Sequence, residues 1–284
     1  MLDLIFTMGV VLGIDIGGST TKIAGFQESG QHIGTLRVEA SDRLTSLYGA
    51  IGNFLSTRAI SLNDVACCVI TGVGAALVNG DIYGIHTERI DEFFAIGKGG
   101  LALSGKEEAL VVSLGTGTAF VRAGRLGCVH IGGSGVGGGT LAGLSFHVIH
   151  ENDPSAMERL AKKGDLSKVD LMISDICTNE VGALPSHITA SNFGKITSGT
   201  EKEDIALGLL NMVFQTIGML SVFALRNDTV KDVVLTGSLA NMSIASQVMR
   251  VVEEISDVKF FIPENATFAT AIGAALPFVR NARI

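Results

Sequence analysis

The sequence predicts an α/β protein of two similar lobes, each a mixed β-sheet flanked by helices, with a ligand cleft between them. Three observations predict this fold. The same order of elements, a strand meander followed by helices and further strands, occurs twice along the 284 residues. Hydrophobic residues make up 47% of the chain and charged residues only 17%, which is typical of strands buried on both faces. The 36 glycines cluster where strands turn.

The first predicted lobe covers residues 1–107. "GGST" and "ESGQ" read as turns of an antiparallel meander, and the second half of "GIHTERIDEFFAIGKGG" has helical spacing. The apolar N-terminal segment has no basic stretch, so we interpret it as a first strand with a short extension and not as a signal peptide. The other predicted elements are strands at 9–16, 20–27 and 31–38, a helix over 42–57 and a strand over 65–71.

The second predicted lobe covers residues 108–284 and repeats this plan. The segment "EALVVSLGTGTAFVRAGRLGCVHIGG" predicts a strand, a Gly/Thr turn and further strands. No Pro/Ser-rich linker precedes it, so the boundary follows from the repeat and not from composition. The elements predicted after it are helices over 139–150 and 203–226, a strand at 232–236, a helix over 240–254, a strand at 258–262 and a last helix near 267–279.

Charge and cysteine content exclude several classes of partner. The formal net charge is −7, and no Lys/Arg run is longer than the pair Lys162 and Lys163, so we expect no nucleic-acid partner. No uninterrupted apolar run approaches the roughly 18 residues of a membrane span, so we expect no membrane partner. The four cysteines form no CxxC pair and no zinc-type spacing. Together these features predict a reduced, cytoplasmic protein.

The stretch "LGIDIGGSTTK" at 12–22 is a candidate phosphate cradle. Glycine turns leave backbone N–H groups free to bind anions, hydroxyl groups can add hydrogen bonds, and a lysine adds positive charge. Asp15, at the end of the strand, suits a Mg²⁺ ion bound through water. The alternative is a plain hairpin turn. The predicted phosphate-binding residues are Gly17, Gly18, Ser19, Thr20 and Lys22.

A second stretch, "SLGTGTAF" at 113–120, repeats that design in the matching position of the second half. Two such turns facing one cleft favour a phosphate site much more strongly than one does, since each can bind phosphates from its own side. Gly237, in "VVLTGSLANM", lies between a buried strand and a helix, where bare backbone admits a flat ring or a ribose. The second turn contributes Gly115, Thr116, Gly117 and Thr118 to the predicted site.

In order and approximate spacing, these three segments resemble the phosphate-1, phosphate-2 and adenosine motifs of the actin/sugar-kinase/heat-shock ATPase superfamily. That resemblance implies ribonuclease-H-like lobes with ATP in the cleft. From about Val10 onward the chain also resembles type II pantothenate kinases, through "IGGSGVGGGTLAGL", "ITASNFG" and "ENATFATAIGAAL". This second resemblance implies ATP, Mg²⁺ and phosphoryl transfer to the primary hydroxyl of pantothenate, the first step of coenzyme A biosynthesis. It further implies a homodimer whose second protomer helps to close the substrate site, and it adds Gly137, Gly138, Gly139 and, for substrate, Ala190.

The family resemblance also nominates a catalytic carboxylate. In "EFFAIGKG", Glu92 lies seven residues before Gly99 at the start of a predicted helix, the family's spacing for a glutamate that accepts the hydroxyl proton. Glu88 lacks that spacing and is better explained as a solvated or helix-start charge. Two positions depart from the family pattern: Phe94 stands where an aspartate is usual, and His130 stands where an arginine contacts substrate.

These departures leave several hypotheses open. His130 is either a substrate contact or an ordinary strand-end histidine, and Arg122 or Arg125 could be recruited in place of the missing arginine. The acceptor could also differ from pantothenate. One alternative function is an ATP-dependent activator of a radical dehydratase, for which Cys128 and Cys177 would be the candidate iron–sulfur ligands. Another is a catalytically silent nucleotide-binding regulator.

Overall fold

The computed structural model describes residues 9–177 and 185–282. The extension proposed for the N-terminus lies outside these residues. The first half forms a five-stranded sheet in the order β3-β2-β1-β4-β5, with β1, β2 and β3 antiparallel and β1, β4 and β5 parallel. Its strands are β1 (Val10–Ile16), β2 (Thr20–Gln27), β3 (His32–Glu39), β4 (Val65–Thr71) and β5 (Thr87–Arg89).

The second half forms another five-stranded sheet with the same topology, in the order β12-β11-β6-β7-β8. Again an antiparallel meander of three strands is followed by two strands added in parallel. The predicted α/β fold with two similar lobes is therefore confirmed. The strands are β6 (Ala109–Leu114), β7 (Thr118–Gly124), β8 (Gly127–Ser134), β11 (Asp232–Thr236) and β12 (Lys259–Phe261), and β9 (Leu171–Met172) pairs with β10 (Thr189–Ser191) in a separate small sheet.

The helices form layers around and between the two sheets. Helix α1 covers the outer face of the first sheet, and α6 and α7 cover the outer face of the second. Helices α2 and α8 lie between the sheets and pack closely on each other. The helices are α1 (Arg43–Thr57), α2 (Glu92–Ser104), α3 (Gly138–Ile149), α4 (Pro154–Ala161), α5 (Ile173–Ile176), α6 (Lys202–Ala224), α7 (Ser243–Glu254) and α8 (Ala269–Ala275).

The central pair of helices approaches to backbone contact. A Cβ atom added to Gly99 of α2 would lie 1.8 Å from the carbonyl oxygen of Ala269, and one added to Gly273 of α8 would lie 1.9 Å from that of Ala95. Only glycine permits this approach. Although α8 comes last in the chain, it packs on β1, β2 and β4 of the first sheet. One helix of the second predicted lobe therefore packs on the sheet of the first, and the division of the chain into lobes at 107/108 stays a prediction.

The apolar helix α6 packs against the outer face of the second sheet. Leu210, Val213 and Phe214 are fully buried beneath the second sheet, as part of the largest hydrophobic cluster. By length and composition α6 could also cross a membrane, but 56% of its most apolar 18-residue window is buried inside the protein. Such burial is typical of a core helix.

Several predicted elements differ from the structure. The last helix is shorter than the predicted 267–279, because 3-10 turns at Ala266–Phe268 and Leu276–Phe278 flank α8 and Pro277 ends the regular helix. Helix α7 begins at Ser243, three residues later than predicted. The short elements β5, α4, β9, α5 and β10 were not predicted.

Candidate active site

A cavity of about 990 Å³ lies between the two lobes. Both glycine turns, the start of α2 and the end of β8 contribute to its wall, so residues far apart in sequence meet there. Gly137 and Ala190 are not among the lining residues; Ala190 is exposed on β10. The predicted site residues that line the cavity are Asp15, Gly17, Gly18, Ser19, Thr20, Lys22, Glu92, Gly115, Thr116, Gly117, Thr118, His130, Gly138, Gly139 and Gly237.

The first turn joins β1 and β2 and carries a buried ion pair. The Gly17 N–H donates to the Thr20 carbonyl (2.9 Å), which closes the turn. Asp15 and Lys22 are cross-strand neighbours, and the Lys22 Nζ lies 3.2 Å from the Asp15 Oδ2, with both side chains 9% exposed. Because an unpaired buried charge is costly, each group serves as the partner that the other needs at the cavity wall.

The second turn joins β6 and β7 and lies directly opposite the first. The Gly115 N–H donates to the Gly117 carbonyl (2.9 Å), and the Thr118 hydroxyl donates to the Val136 carbonyl (2.8 Å). A Cβ atom on Gly18 of the first turn would lie 3.3 Å from the Thr116 Oγ1 of the second. The tips of the two turns therefore face each other across the cleft, as the repeat predicted.

The glycines that precede α3 are held by hydrogen bonds within the chain. The Gly138 N–H donates to the Gly115 carbonyl and the Gly139 N–H to the Thr116 carbonyl, both at 2.9 Å. The Gly137 N–H donates to the Thr140 hydroxyl at 3.2 Å. These bonds fasten the start of α3 to the second turn, and the three amides would have to exchange partners to bind a phosphate. Their predicted phosphate-binding role stays a prediction.

Glu92 is the first residue of α2 and is half-buried beside the ion pair. Asp91 caps the helix, since its carboxylate accepts a hydrogen bond from the Phe94 N–H (2.8 Å). Burial raises the pKa of Glu92, the negative charges of Asp15 and Asp91 raise it further, and Lys22 lowers it. A carboxylate whose pKa is moved towards neutrality is a better proton acceptor at physiological pH.

His130 lies beside Glu92, on the opposite lobe. Its ring stacks face to face on Phe93, with centroids 3.9 Å apart and an interplanar angle of 11°. This stack joins β8 to the start of α2. The side chain of Phe94 lies 5.7 Å from the Lys98 Nζ, a cation–π distance, and is not a cavity-lining residue.

Arg122 and Arg125 lie away from this cavity, near the β7–β8 turn. The Arg122 guanidinium contacts Asp228 (2.7 Å) and Glu108 (2.8 Å), and these contacts raise its pKa. Arg125 pairs with Glu107. Neither arginine lines the cavity, so the geometry of this chain gives no support for recruiting either of them in place of His130.

Two groups of lining residues were not predicted. Arg37 and Glu39 on β3 form an exposed ion pair (2.7 Å) at the edge of the cavity. Their i, i+2 spacing along β3 places them on one face with Lys22, a signal that could have found them once the strand predicted to end at 38 is extended by one residue. The second group has no such signal, because its members resemble ordinary core residues: Leu141, Met157, Leu210, Leu239 and Met242.

The cysteines considered for an iron–sulfur cluster lie on separate elements. Cys128 is on β8, packed towards Gly97 of α2, and burial raises the pKa of its thiol. Cys177 follows α5. Within residues 9–177 and 185–282, no three His, Cys, Asp or Glu side chains form a group that could hold a metal ion.

Solved structures with the same fold align with 94–95% of the chain. The activator of 2-hydroxyisocaproyl-CoA dehydratase from Clostridium difficile, solved with bound ADPNP, aligns with a TM-score of 0.69 at 17% identity, over 94% of this chain and 93% of that one. Component A of the (R)-2-hydroxyglutaryl-CoA dehydratase from Acidaminococcus fermentans aligns at 0.67 and 20%, over 95% and 97%. A ROK family protein from Streptococcus pneumoniae aligns at 0.59 and 13%, over 95% and 97%. At these identities the likeness shows the fold alone.

Similarity in sequence identifies the family as well as the fold. The family model described as Fumble matches residues 106–276. The type II pantothenate kinase of Oceanobacillus iheyensis is 30% identical over 275 residues, covering 93% of this chain and 98% of that protein. That of Staphylococcus epidermidis is 25% identical over 277 residues, with the same coverage. With its two-lobe fold and paired glycine turns, the chain belongs to the type II pantothenate kinase family.

Proposed function

We propose that this protein is an ATP-dependent kinase that phosphorylates the primary hydroxyl of pantothenate, the first step of coenzyme A biosynthesis. The observation that carries the proposal is the pair of glycine turns facing each other across one cavity, with a half-buried carboxylate beside them. The named relatives support the choice of acceptor. A cavity of about 990 Å³ has room for a nucleotide and a small acceptor together.

The residues of the chain divide the work of phosphoryl transfer. The two turns and Lys22 bind the phosphates of ATP, because backbone N–H groups and an ammonium attract their oxygens. Glu92 accepts the proton of the acceptor hydroxyl and orients that oxygen for attack. The unpredicted apolar residues that line the cavity, which include Leu141, Leu210 and Met242, suit the nucleobase.

The site also fits Mg²⁺. This ion commonly binds one or two carboxylates together with waters and substrate phosphates, so a single carboxylate beside the phosphate turns is sufficient protein ligation. Asp15 has that position at the end of β1 and would hold the ion through water. When bound, Mg²⁺ neutralises charge on the phosphate oxygens.

The acceptor binds at the end of the cavity formed by Glu92, Phe93 and His130. We propose that the protein acts as a homodimer, in which Ala190 contacts the acceptor held by the other protomer. The exposed apolar side chains of Phe146 (59%) and Val148 (44%) on α3 support a subunit contact on this lobe. A cytoplasmic location is in keeping with the four free cysteines.

A coupled ATP-consumption assay with pantothenate, pantetheine and a panel of sugars and hydroxy acids tests this function. We expect saturable turnover with pantothenate. Glu92→Gln should lower kcat at least about 100-fold and leave ATP affinity, measured by calorimetry, within twofold. Glu88→Gln is the matched control, because the Glu88 side chain is about half exposed and pairs with His86, and it should retain wild-type kcat. Tight ATP binding without turnover of any acceptor would favour the silent regulator instead.

A further inference from the structure

Asp15 and Glu92 lie on different elements, and one side chain between them joins those elements. Thr71 is the last residue of β4, which pairs in parallel with β1, and the register places Thr71 directly beside Asp15. Its side chain is 1% exposed. The Thr71 hydroxyl donates to the carbonyl of Ile90 at 3.1 Å, two residues before Glu92.

The surrounding backbone strengthens this connection. The Ile90 N–H donates to the Ile70 carbonyl (3.1 Å), so both backbone polar groups of Ile90, just before α2, are bound to β4. Gly72 has φ +87°, and a Cβ atom there would lie 2.6 Å from the Asp15 Oδ1. The chain that follows Thr71 therefore runs against the carboxylate of Asp15, while the hydroxyl of Thr71 reaches towards α2.

We propose that Thr71 is a positioning residue that sets the place of Glu92 relative to Asp15 and the phosphate turns. Its hydroxyl holds the Ile90 carbonyl, and the peptide after Ile90 leads through Asp91, which caps α2, directly to Glu92. Of the other groups around Glu92, Asp91 fixes the first turn of α2 from within the helix. Asp15, Lys22, Phe93 and, through the ring stack, His130 act there through side-chain charge or stacking.

This inference rests on the proposed function for its kinetic consequence. A misplacement of about 1 Å at a reacting group can cost up to about 100-fold in rate, because the reacting atoms leave the near-attack geometry. Loss of one hydrogen bond at the base of α2 should cause part of that displacement. We therefore expect kcat to fall roughly 10-fold, while ATP affinity, which depends on the turns, changes less than about twofold.

The test compares Thr71→Val, which removes the hydroxyl at nearly constant shape, with Thr71→Ser, which keeps it. Thr71→Ala is the second hydroxyl-free variant. Valine and alanine should lower kcat and serine should restore it. Thr57→Val is the matched control, since the Thr57 hydroxyl also donates to a backbone carbonyl (Asn53, 2.7 Å) but lies on α1 away from the cavity. Wild-type kcat in both hydroxyl-free variants, or a loss that serine does not rescue, would overturn the proposal.

Amide hydrogen exchange of the unliganded protein gives a readout that needs no turnover. The N–H groups of Phe94 and Ala95 in the first turn of α2 should exchange several-fold faster in Thr71→Val than in wild type or Thr71→Ser. The wild-type protein could fail to phosphorylate pantothenate while Thr71→Val still shows the faster exchange. That result would retain the positioning role and reject the acceptor. Unchanged exchange in Thr71→Val would reject the positioning role whatever the acceptor is.

Discussion

Replacing Gly99 by alanine tests whether the contact between α2 and α8 positions the catalytic helix. The added Cβ would lie 1.8 Å from the carbonyl oxygen of Ala269, and real Cβ atoms essentially never come closer than 3.0 Å to such an atom. The helices must therefore separate by at least about 1.2 Å at this point. No side-chain rotation can relieve the clash, because the atom that is met belongs to the backbone.

The expected loss follows from that displacement. Overpacking of a close interface typically costs about 1–3 kcal/mol. For a chain of this size each kcal/mol lowers the melting temperature by roughly 2–4 °C, so Gly99→Ala should melt about 2–12 °C below wild type. Glu92 lies seven residues earlier on the same helix, and a shift of about 1 Å there should lower kcat by up to about 100-fold.

Thermal unfolding by calorimetry and the coupled kinase assay measure both effects. Gly49→Ala is the control, because Gly49 is exposed on α1 and its added Cβ would meet nothing within 4 Å. That substitution should stabilise the protein by about 0.5–1 kcal/mol, as expected for a helix-interior glycine, and leave kcat unchanged. A Gly99→Ala protein with the melting temperature and kcat of wild type would refute the close packing of α2 on α8.

Two further predictions concern carboxylates. Because the folded state raises the pKa of Glu92, its ionisation opposes folding as pH rises through that raised pKa. Glu92→Gln should therefore melt above wild type at pH 8, and the difference should vanish near pH 4; a pH-independent difference would contradict this. Asp170 is fully buried and accepts hydrogen bonds from Thr189, Asn192, Phe193 and Asn211. Asp170→Asn should lower the free energy of unfolding by about 2–3 kcal/mol in urea titration, whereas the control Asp175→Asn, at an exposed carboxylate, should leave the urea midpoint nearly unchanged.

The main strands were predictable because their signal is local. Buried runs such as "VVLGIDI" and "ALVVSL" are bounded by glycine turns, and the structure has β1 and β6 at those places. Helix α4 carries equally local signals that were overlooked: Asp153 accepts from the N–H groups of Ser155 and Ala156, and Pro154 is the first helical residue. The paired strands β9 and β10 have no such signal, since strands of two or three residues show no period.

The candidate site was predictable only where backbone chemistry defines it. The two turns could be recognised because glycine and hydroxyl residues clustered after a strand are a sequence pattern typical of phosphate binding. Arg37 and Glu39 could have been found from their i, i+2 spacing on β3. The apolar lining around Leu141 and Leu210 depends on how the lobes are placed, which no local pattern encodes. The same holds for Thr71, whose hydroxyl matters through a contact 19 residues away in the chain.

Glycine has two different roles in this chain, and only the structure distinguishes them. At Gly13, Gly99 and Gly273 an added Cβ would lie 1.8–2.0 Å from a backbone oxygen, so these glycines serve the packing of α8 on β1 and on α2. At Gly115 the nearest atom would be 3.6 Å away, an ordinary contact. A side chain at Gly115 would therefore be accommodated by the folded protein and would enter the space that we assign to the phosphates. The three packing glycines are needed for the fold, whereas Gly115 leaves room for phosphate oxygens to approach the backbone. Loss of activity on substitution of Gly115, with the fold intact, would therefore support the proposed chemistry.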